Sequence, residues 1–207
     1  MSIQDAYTHW SHNYDTDRNL TRDLDQIVTR QMLANYKAAS ILELGCGTGK
    51  NTVFLADMGQ HVTALDFSEG MLAQGKAKVQ HDNVTFSIAD LTQPWPCPDQ
   101  AFDLIVCNLV LEHIEDLSFI FSEARRVLVA GGQFFISELH PSKQYVGKKA
   151  TFQQGDDVRF IDAFVHHISS FLDAAQAVGF TMRSLKEWWH DEDAPIPPRL
   201  VTFLFEK

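Results

Sequence analysis

Apolar residues change their spacing repeatedly along this chain of 207 residues, and each change marks an element. Leu24, Ile27, Val28 and Met32 recur at helical intervals and predict a lead helix over residues 18–36. Ser40 to Leu44 is a short apolar run ending in Gly45-Cys46-Gly47-Thr48-Gly49. Residues 50–58 then read as a helix with Val53, Phe54 and Met58 inward, so this stretch is strand, tight loop and helix. A second strand, 61–65, ends at Asp66, and Ser68 is the expected N-cap of a helix carrying Met71, Leu72 and Val79. Alternation at Val84, Phe86 and Ile88 gives a third strand that leads to Asp90. Pro94-Trp95-Pro96-Cys97-Pro98 cannot join a ladder and is loop, whereas 102–107 is apolar enough for a strand buried on both faces.

Leu117, Ile120, Phe121, Ala124, Val127 and Leu128 follow the i, i+3, i+4, i+7 pattern, with Gly131-Gly132 as the expected left-handed stop. Residues 134–138 are a fifth strand. The stretch 140–167 shows no sustained period, 169–178 is again helical with Gly179 as its stop, and 182–188 and 200–205 are two tail strands. Strands alternating with helices in this order predict an α/β fold with a doubly wound, seven-stranded, mostly parallel sheet. The last strand is expected to be antiparallel, and helices to cover both faces.

Composition narrows the class. With 45% hydrophobic and 21% charged residues, the chain is expected to be a single domain, residues 1–207. A net charge of -10 with scattered Lys and Arg argues against nucleic acid as a partner, because such affinity needs clustered cations on phosphates. Cys46, Cys97 and Cys107 form no CxxC and no metal-spaced set, so no metal is expected and a reducing, cytoplasmic setting is. No apolar run approaches the ~18 residues of a membrane span, and no export leader is evident, so no membrane partner is expected.

In an open parallel sheet, ligands sit beyond the carboxyl ends of the strands, so the residues after each early strand carry the candidate chemistry. Glu43 to Gly49 brings three glycines where backbone must turn sharply near a ligand. Asp66 stands 19 residues after Gly47, where a carboxylate can accept from both hydroxyls of a ribose. That pair alone also fits a dinucleotide. Ala89-Asp90-Leu91 and Asn108-Leu109-Val110-Leu111-Glu112-His113, at the ends of the third and fourth strands, tip the balance. The loop is not GxGxxG and no Tyr-x-x-x-Lys pair occurs, which disfavours a dinucleotide-dependent oxidoreductase.

With those stretches, and with Leu65-Asp66-Phe67-Ser68-Glu69-Gly70-Met71-Leu72 and Arg126-Val127-Leu128 through Gly131-Gly132, the sequence resembles the class I S-adenosylmethionine-dependent methyltransferases, type 11-like, of the small-molecule group. The resemblance covers residues 7–140 and implies a Rossmann-like fold, S-adenosylmethionine as cofactor and a small-molecule acceptor. It implies that Glu43 and the loop residues Gly45, Cys46, Gly47 and Gly49 surround the methionine end and that Asp66 binds the ribose. Phe67 and Met71 would flank the adenine, Asp90 would take its amino group and Leu91 its ring edge. Asn108 would lie beside the methionine portion through its backbone, and Tyr14 would help close the pocket. Residues 1–38 would be a helical cover. Residues 140–168, with Tyr145, Phe152, Phe160, Ile161 and Phe164, would be a lid over the acceptor, or else pack on the sheet edge or at a dimer contact.

The cofactor supplies the electrophile, so the protein must position the acceptor for in-line displacement, and a base is needed only for a nucleophile that loses a proton. His113, His140, His166 and His167 are the candidate bases, with His113, His140 and His167 the ones assigned to catalysis. A non-enzymatic sensor or partner subunit with the same cofactor site is the alternative. Monomer and homodimer are both compatible with the sequence.

Overall fold

The computed structural model of the chain describes residues 3–11, 14–16, 18–145, 151–154, 157–160, 163–193 and 197–207. It begins with a helix that hydrophobic spacing did not announce, α1 (Ile3–Trp10), followed by α2 (Leu20–Leu33). Asn19 starts α2 by accepting the amides of Thr21 and Arg22 on Oδ1, two of the donors that every helix start leaves open. Leu24 and Val28 are buried as expected, but Ile27 is 59% exposed. The inward face of α2 also carries Arg22, Asp25 and Thr29, which are polar and therefore invisible to an apolar periodicity.

The chain then alternates: β1 (Ala38–Leu44), α3 (Thr52–Met58), β2 (Gly59–Asp66), α4 (Glu69–Lys78), β3 (Val84–Ile88), β4 (Phe102–Asn108), α5 (Leu117–Val127) and β5 (Leu128–Leu139). After these come α6 (Pro141–Tyr145), a hairpin of β6 (Thr151–Gln154) and β7 (Asp157–Phe160), then α7 (Ile168–Ala177), β8 (Thr181–Trp188) and β9 (Leu200–Glu206). The main sheet has the order β3-β2-β1-β4-β5-β9-β8, in which β9 alone runs against the other strands. This is the expected seven-stranded, doubly wound sheet. Helices α2 and α3 pack on one face through Leu33, Leu55, Ile41 and Val62, and α4 joins that face through Leu72 and Ala64. Helices α5 and α7 cover the other through Phe121, Ala124, Phe171 and Ala175.

Three expectations change in detail. In α3 the fully buried side chains are Thr52 and Leu55, while Val53, Phe54 and Met58 are only half-buried, because a helix starting at Thr52 turns that face to the sheet. Gly131-Gly132 is not the stop of α5. That helix ends at Val127 because Leu128 is already extended and pairs with Phe102 across β4. Gly131, at φ +76, instead serves a bulge within β5. The stretch 140–167, read as aperiodic, contains α6 and the hairpin, and Ile161 lies outside the described residues.

No helix spans the connection from β3 to β4. Trp95, 3% exposed, and Cys97 fill that part of the core instead. Trp95 donates its indole N–H to Leu91 O (3.2 Å) and its amide to Glu123 Oε2 (2.8 Å). Arg126 donates to both oxygens of Glu123, to Asp99, and to the carbonyls of Cys97 and Trp95. A side-chain brace thus holds a loop that proline forbids from joining a ladder.

Candidate active site

Sheet order reverses between β1 and β4, and the carboxyl ends of β1 to β4 open onto one cleft there. After β1 the backbone takes positive φ at Gly45, Gly47 and Gly49 (+68, +53 and +79). A Cβ at Gly45 would lie 2.1 Å from Val110 Cγ2, so this glycine lets the loop pass the segment after β4. A Cβ at Gly47 would meet nothing within 4 Å, although its neighbours are packed, because Gly47 borders the cleft. Glu43 lies buried below the loop, where Thr52 Oγ1 donates to Oε2 (2.6 Å). Burial, reinforced by the charges of Asp66 and Asp25, pushes its pKa up to about 8.

Asp66 closes β2 with a buried carboxylate that already serves the fold. Gly47 N donates to Oδ2 (2.8 Å) and Ser68 N to Oδ1 (2.9 Å), so one side chain ties the loop after β1 to the start of α4. Each oxygen keeps a further lone pair. Burial raises the Asp66 pKa, and the backbone donors offset part of that rise. Ser68 caps α4 by accepting Met71 N, as its sequence position predicts. Asp90, after β3, is exposed and accepts Thr92 N and Oγ1 on Oδ1.

Beyond β4, Leu109 stands at φ +55, a strained place for a leucine, with its amide tied to Ser137 O (2.9 Å). Asn108 donates Nδ2 to Asp25 Oδ1 (2.8 Å) and Thr29 Oγ1 (2.7 Å). Glu138, at the end of β5, accepts Val110 N and Leu111 N on Oε1 and so holds the 3-10 turn Leu111–His113. Its burial, with help from Glu112 and Asp25, pushes its pKa up to about 8.

Over this floor lies α1. Tyr7 shares a hydrogen bond with His113 Nε2 (2.8 Å), their rings meeting edge-on at 5.5 Å. Thr8 Oγ1 contacts Ser68 Oγ (2.9 Å), and Gln4 donates to Phe67 O (2.6 Å). Gly70 permits the approach, for a Cβ there would sit 2.9 Å from Ser11 Oγ and 3.0 Å from Thr8 O. Tyr14 packs edge-on against Trp10 (4.8 Å) and below the Arg22 guanidinium (4.0 Å). Counted with the solvent at its open mouth, the cleft spans about 740 Å³, and a recess of about 470 Å³, counted the same way, adjoins it toward Asp25, Glu43 and Asn51.

A family model described as a methyltransferase domain matches residues 42–136, which run from β1 into β5 and contain the glycine loop, Asp66, Asp90 and Asn108. Over that stretch the chain carries a domain of the class I S-adenosylmethionine-dependent methyltransferase type. Among curated members, it is 30% identical over 168 residues to a malonyl-[acyl-carrier protein] O-methyltransferase of Serratia marcescens, covering 80% of this chain and 63% of that protein. It is 36% identical over 114 residues to a demethylmenaquinone methyltransferase of Clavibacter sepedonicus, covering 55% and 46%. The chain thus spans about half to two thirds of the length of these two relatives. Its fold is shared with DhpI, solved in complex with SAH, at a TM-score of 0.75 and 23% identity over 98% of this chain and 93% of that one.

Of the residues singled out by sequence, Tyr14, Gly45, Gly47, Asp66, Phe67, Met71, Asp90, Leu91, Asn108 and His113 line the cleft. Glu43 and Cys46 line the recess. Gly49 lines neither and packs on α4, where a Cβ would stand 2.7 Å from Val79 Cγ2. His140 and His167 also lie outside the lining. His140 is buried with Nδ1 on Ser142 Oγ (2.7 Å) and Nε2 on Glu187 Oε1 (2.8 Å), and exposed His167 bonds Tyr145 Oη. Sequence reasoning missed Tyr7, Asp25 and Asn51. Tyr7 had a signal, being one of several aromatics ahead of α2, whereas Asp25 is revealed only by the partners that tertiary structure brings to it.

Proposed function

We propose that this chain transfers a methyl group from S-adenosylmethionine to a small-molecule acceptor held at the mouth of the cleft. The observation that carries this is Asp66, a buried carboxylate at the end of β2 that is clamped to the glycine loop and borders the cleft. The residues suit the cofactor. Asp25, Glu43 and Asp66 supply buried hydrogen-bond acceptors around the floor, and Arg22 and Lys50 also line the recess, so groups of both kinds are at hand for the ammonium and the carboxylate of a methionine end. Asp66 would take the ribose hydroxyls, Phe67, Met71 and Leu91 the adenine faces and edge, and Asp90 its amino group. Glu43, Gly45, Cys46, Gly47, Asn108 and Tyr14 would enclose the methionine end.

When bound, the cofactor supplies a methyl group activated by positive sulfur. The chain's part is to exclude water and hold the nucleophile about 3 Å from that carbon, opposite sulfur. His113 is the group within the cleft able to take a proton from an acceptor, with Tyr7 fixing its ring. The acceptor cover is assigned to residues 140–168 within a single domain of residues 1–207, and residues 1–38 to the cofactor side. Phe164 N donates to Glu112 O and His166 Nε2 meets Ile114 O (both 2.7 Å), so residues 163–167 lie along the turn bearing His113. The names of the two relatives, one acting on malonyl-[acyl-carrier protein] and one on demethylmenaquinone, favour a small acceptor group over nucleic acid. A cytoplasmic setting accords with three buried free thiols, and among the described residues no helix is long and apolar enough to cross a membrane.

Calorimetric titration with S-adenosylmethionine, S-adenosylhomocysteine and NAD tests this. Both adenosyl-sulfur ligands should bind and NAD should not. Asp66→Asn, which replaces one charged acceptor by a donor, should weaken binding by about ten- to a hundred-fold. Absence of binding, or an unaffected variant, overturns the assignment. Binding without turnover over a broad acceptor panel would leave a sensor.

A further inference from the structure

The mouth of the cleft has a charge pattern that bears on what can enter it. Among the described residues that line the cleft none is Lys or Arg, and besides two tyrosines its ionisable side chains are Asp66, Asp90 and His113. Two cations line the adjoining recess, but Arg22 donates to Tyr14 O and covers the Tyr14 ring, and Lys50 pairs with Asp23 (2.8 Å). The turn that carries His113 is bordered by carboxylates. Glu112 Oε1 stands 3.8 Å from His113 Nε2, Glu138 holds the turn through its backbone amides, and Glu115 and Asp116 follow it, both exposed. A positive charge on His113 therefore already faces Glu112. An acceptor with a carboxylate or phosphate beside its reacting atom would leave water among like charges, and an unpaired buried charge is strongly unfavourable.

The remaining surface is apolar. Leu109, Val110 and Ile114 line the cleft after β4, and the cover beside them adds apolar side chains that stand in water. Phe164, Val165 and Tyr145 are 38%, 46% and 59% exposed. The segment bearing the first two is fastened along the His113 turn by the bonds to Glu112 O and Ile114 O, and Tyr145 joins it through His167. Three of the seven large apolar side chains exposed among the described residues thus fall on this one cover. Exposure gathered in this way marks a surface that an apolar ligand covers. Tyr7 and His113, joined at 2.8 Å, give the cleft a polar point able to meet a single hydroxyl.

We propose that the acceptor is an uncharged, apolar ring compound bearing a hydroxyl group, seated between the cover and the His113 turn, a class that rests on the cleft being a methyltransferase site. The acceptor oxygen forms its bond to the methyl carbon, the electron pair of the broken carbon–sulfur bond stays on sulfur, and the hydroxyl proton passes to His113. Carboxylate acceptors of similar size are rejected by the carboxylates around the turn.

Calorimetry on the full chain saturated with S-adenosylhomocysteine, whose sulfur is uncharged, tests this with two probes on the same ring, α-naphthol and α-naphthoate. Wild type should bind α-naphthol about ten-fold more tightly or better, since the carboxylate enters without a cation to pair it. Phe164→Ala removes apolar surface from the cover and should weaken α-naphthol several-fold. Phe164→Arg brings a cation to the mouth, so the preference should fall to within about three-fold or reverse. Val165→Arg serves the same purpose if Phe164→Arg fails to fold. Equal wild-type affinities, tighter binding of α-naphthoate, or a preference unchanged by the folded arginine variant overturn the proposal. If S-adenosylhomocysteine binds and neither probe does, the acceptor class falls and the cofactor assignment stands. If S-adenosylhomocysteine itself fails to bind, the assignment falls and the acceptor class with it.

Discussion

Glu138→Gln isolates the cost of one buried carboxyl beside the cleft. Glu138 Oε1 accepts Val110 N (2.9 Å) and Leu111 N (2.8 Å), bonds that a glutamine oxygen keeps. Oε2 is buried without a hydrogen-bond partner, so the new NH2 takes a place where nothing is bonded. The carboxyl has its pKa pushed from 4.5 up to about 8, chiefly by burial. A carboxyl raised in the folded state favours folding while it stays protonated. Its stabilisation is fully present below the unfolded pKa and is lost as pH rises through the folded one. A shift of this size corresponds to about 4 kcal/mol lost between about pH 4.5 and 8, a fall in Tm on the order of 10 °C for a chain this long. Urea denaturation of the ligand-free protein at pH 5.5, 7 and 8.5 measures it. Wild type should weaken steadily with pH. Glu138→Gln should show a shallower slope, with any cost of the buried amide appearing as an offset independent of pH. Parallel slopes for the two proteins would refute a neutral, desolvated Glu138.

Two further outcomes follow from packing. Gly70→Val sets a side chain where Cβ alone would meet Ser11 Oγ at 2.9 Å, so α1 should lift from α4 and S-adenosylhomocysteine affinity should drop several-fold. Urea stability should change by less than about 1 kcal/mol, since the core beneath is untouched, and unchanged affinity would show that α1 adds nothing to the cleft. Trp95→Ala should cost about 3–5 kcal/mol in urea melts because Trp95 substitutes for a missing helix, and a loss under about 1 kcal/mol would contradict that role.

Most of the architecture was legible because core-facing positions repeat with the period of their element. The central strands β1 and β4 read as apolar runs and β3, at the sheet edge, as an alternation, the cleft motifs fall at strand ends, and Ser68 and Gly179 punctuate helices α4 and α7 as their chemistry requires. What escaped was polar or competitive. Asp25 and Thr29 occupy buried positions on α2 without being apolar, so the pattern drew attention to exposed Ile27 instead. Gly131 looked like a helix stop until Leu128 claimed a strand pairing with Phe102. His140 was placed near the chemistry by its position after β5, yet its ring nitrogens are turned to Ser142 and Glu187, contacts that no local spacing encodes.

The double use of Asp66 has a thermodynamic consequence. Because its two oxygens hold Gly47 and Ser68 before any ligand arrives, much of the ordering cost of the cleft is met during folding rather than at binding. Site and sheet are therefore one cooperative unit. A ligand seated there at a hundred times its Kd adds about 2.7 kcal/mol to the whole fold, so its thermal shift reports on β1 and β2 as directly as on the cleft itself.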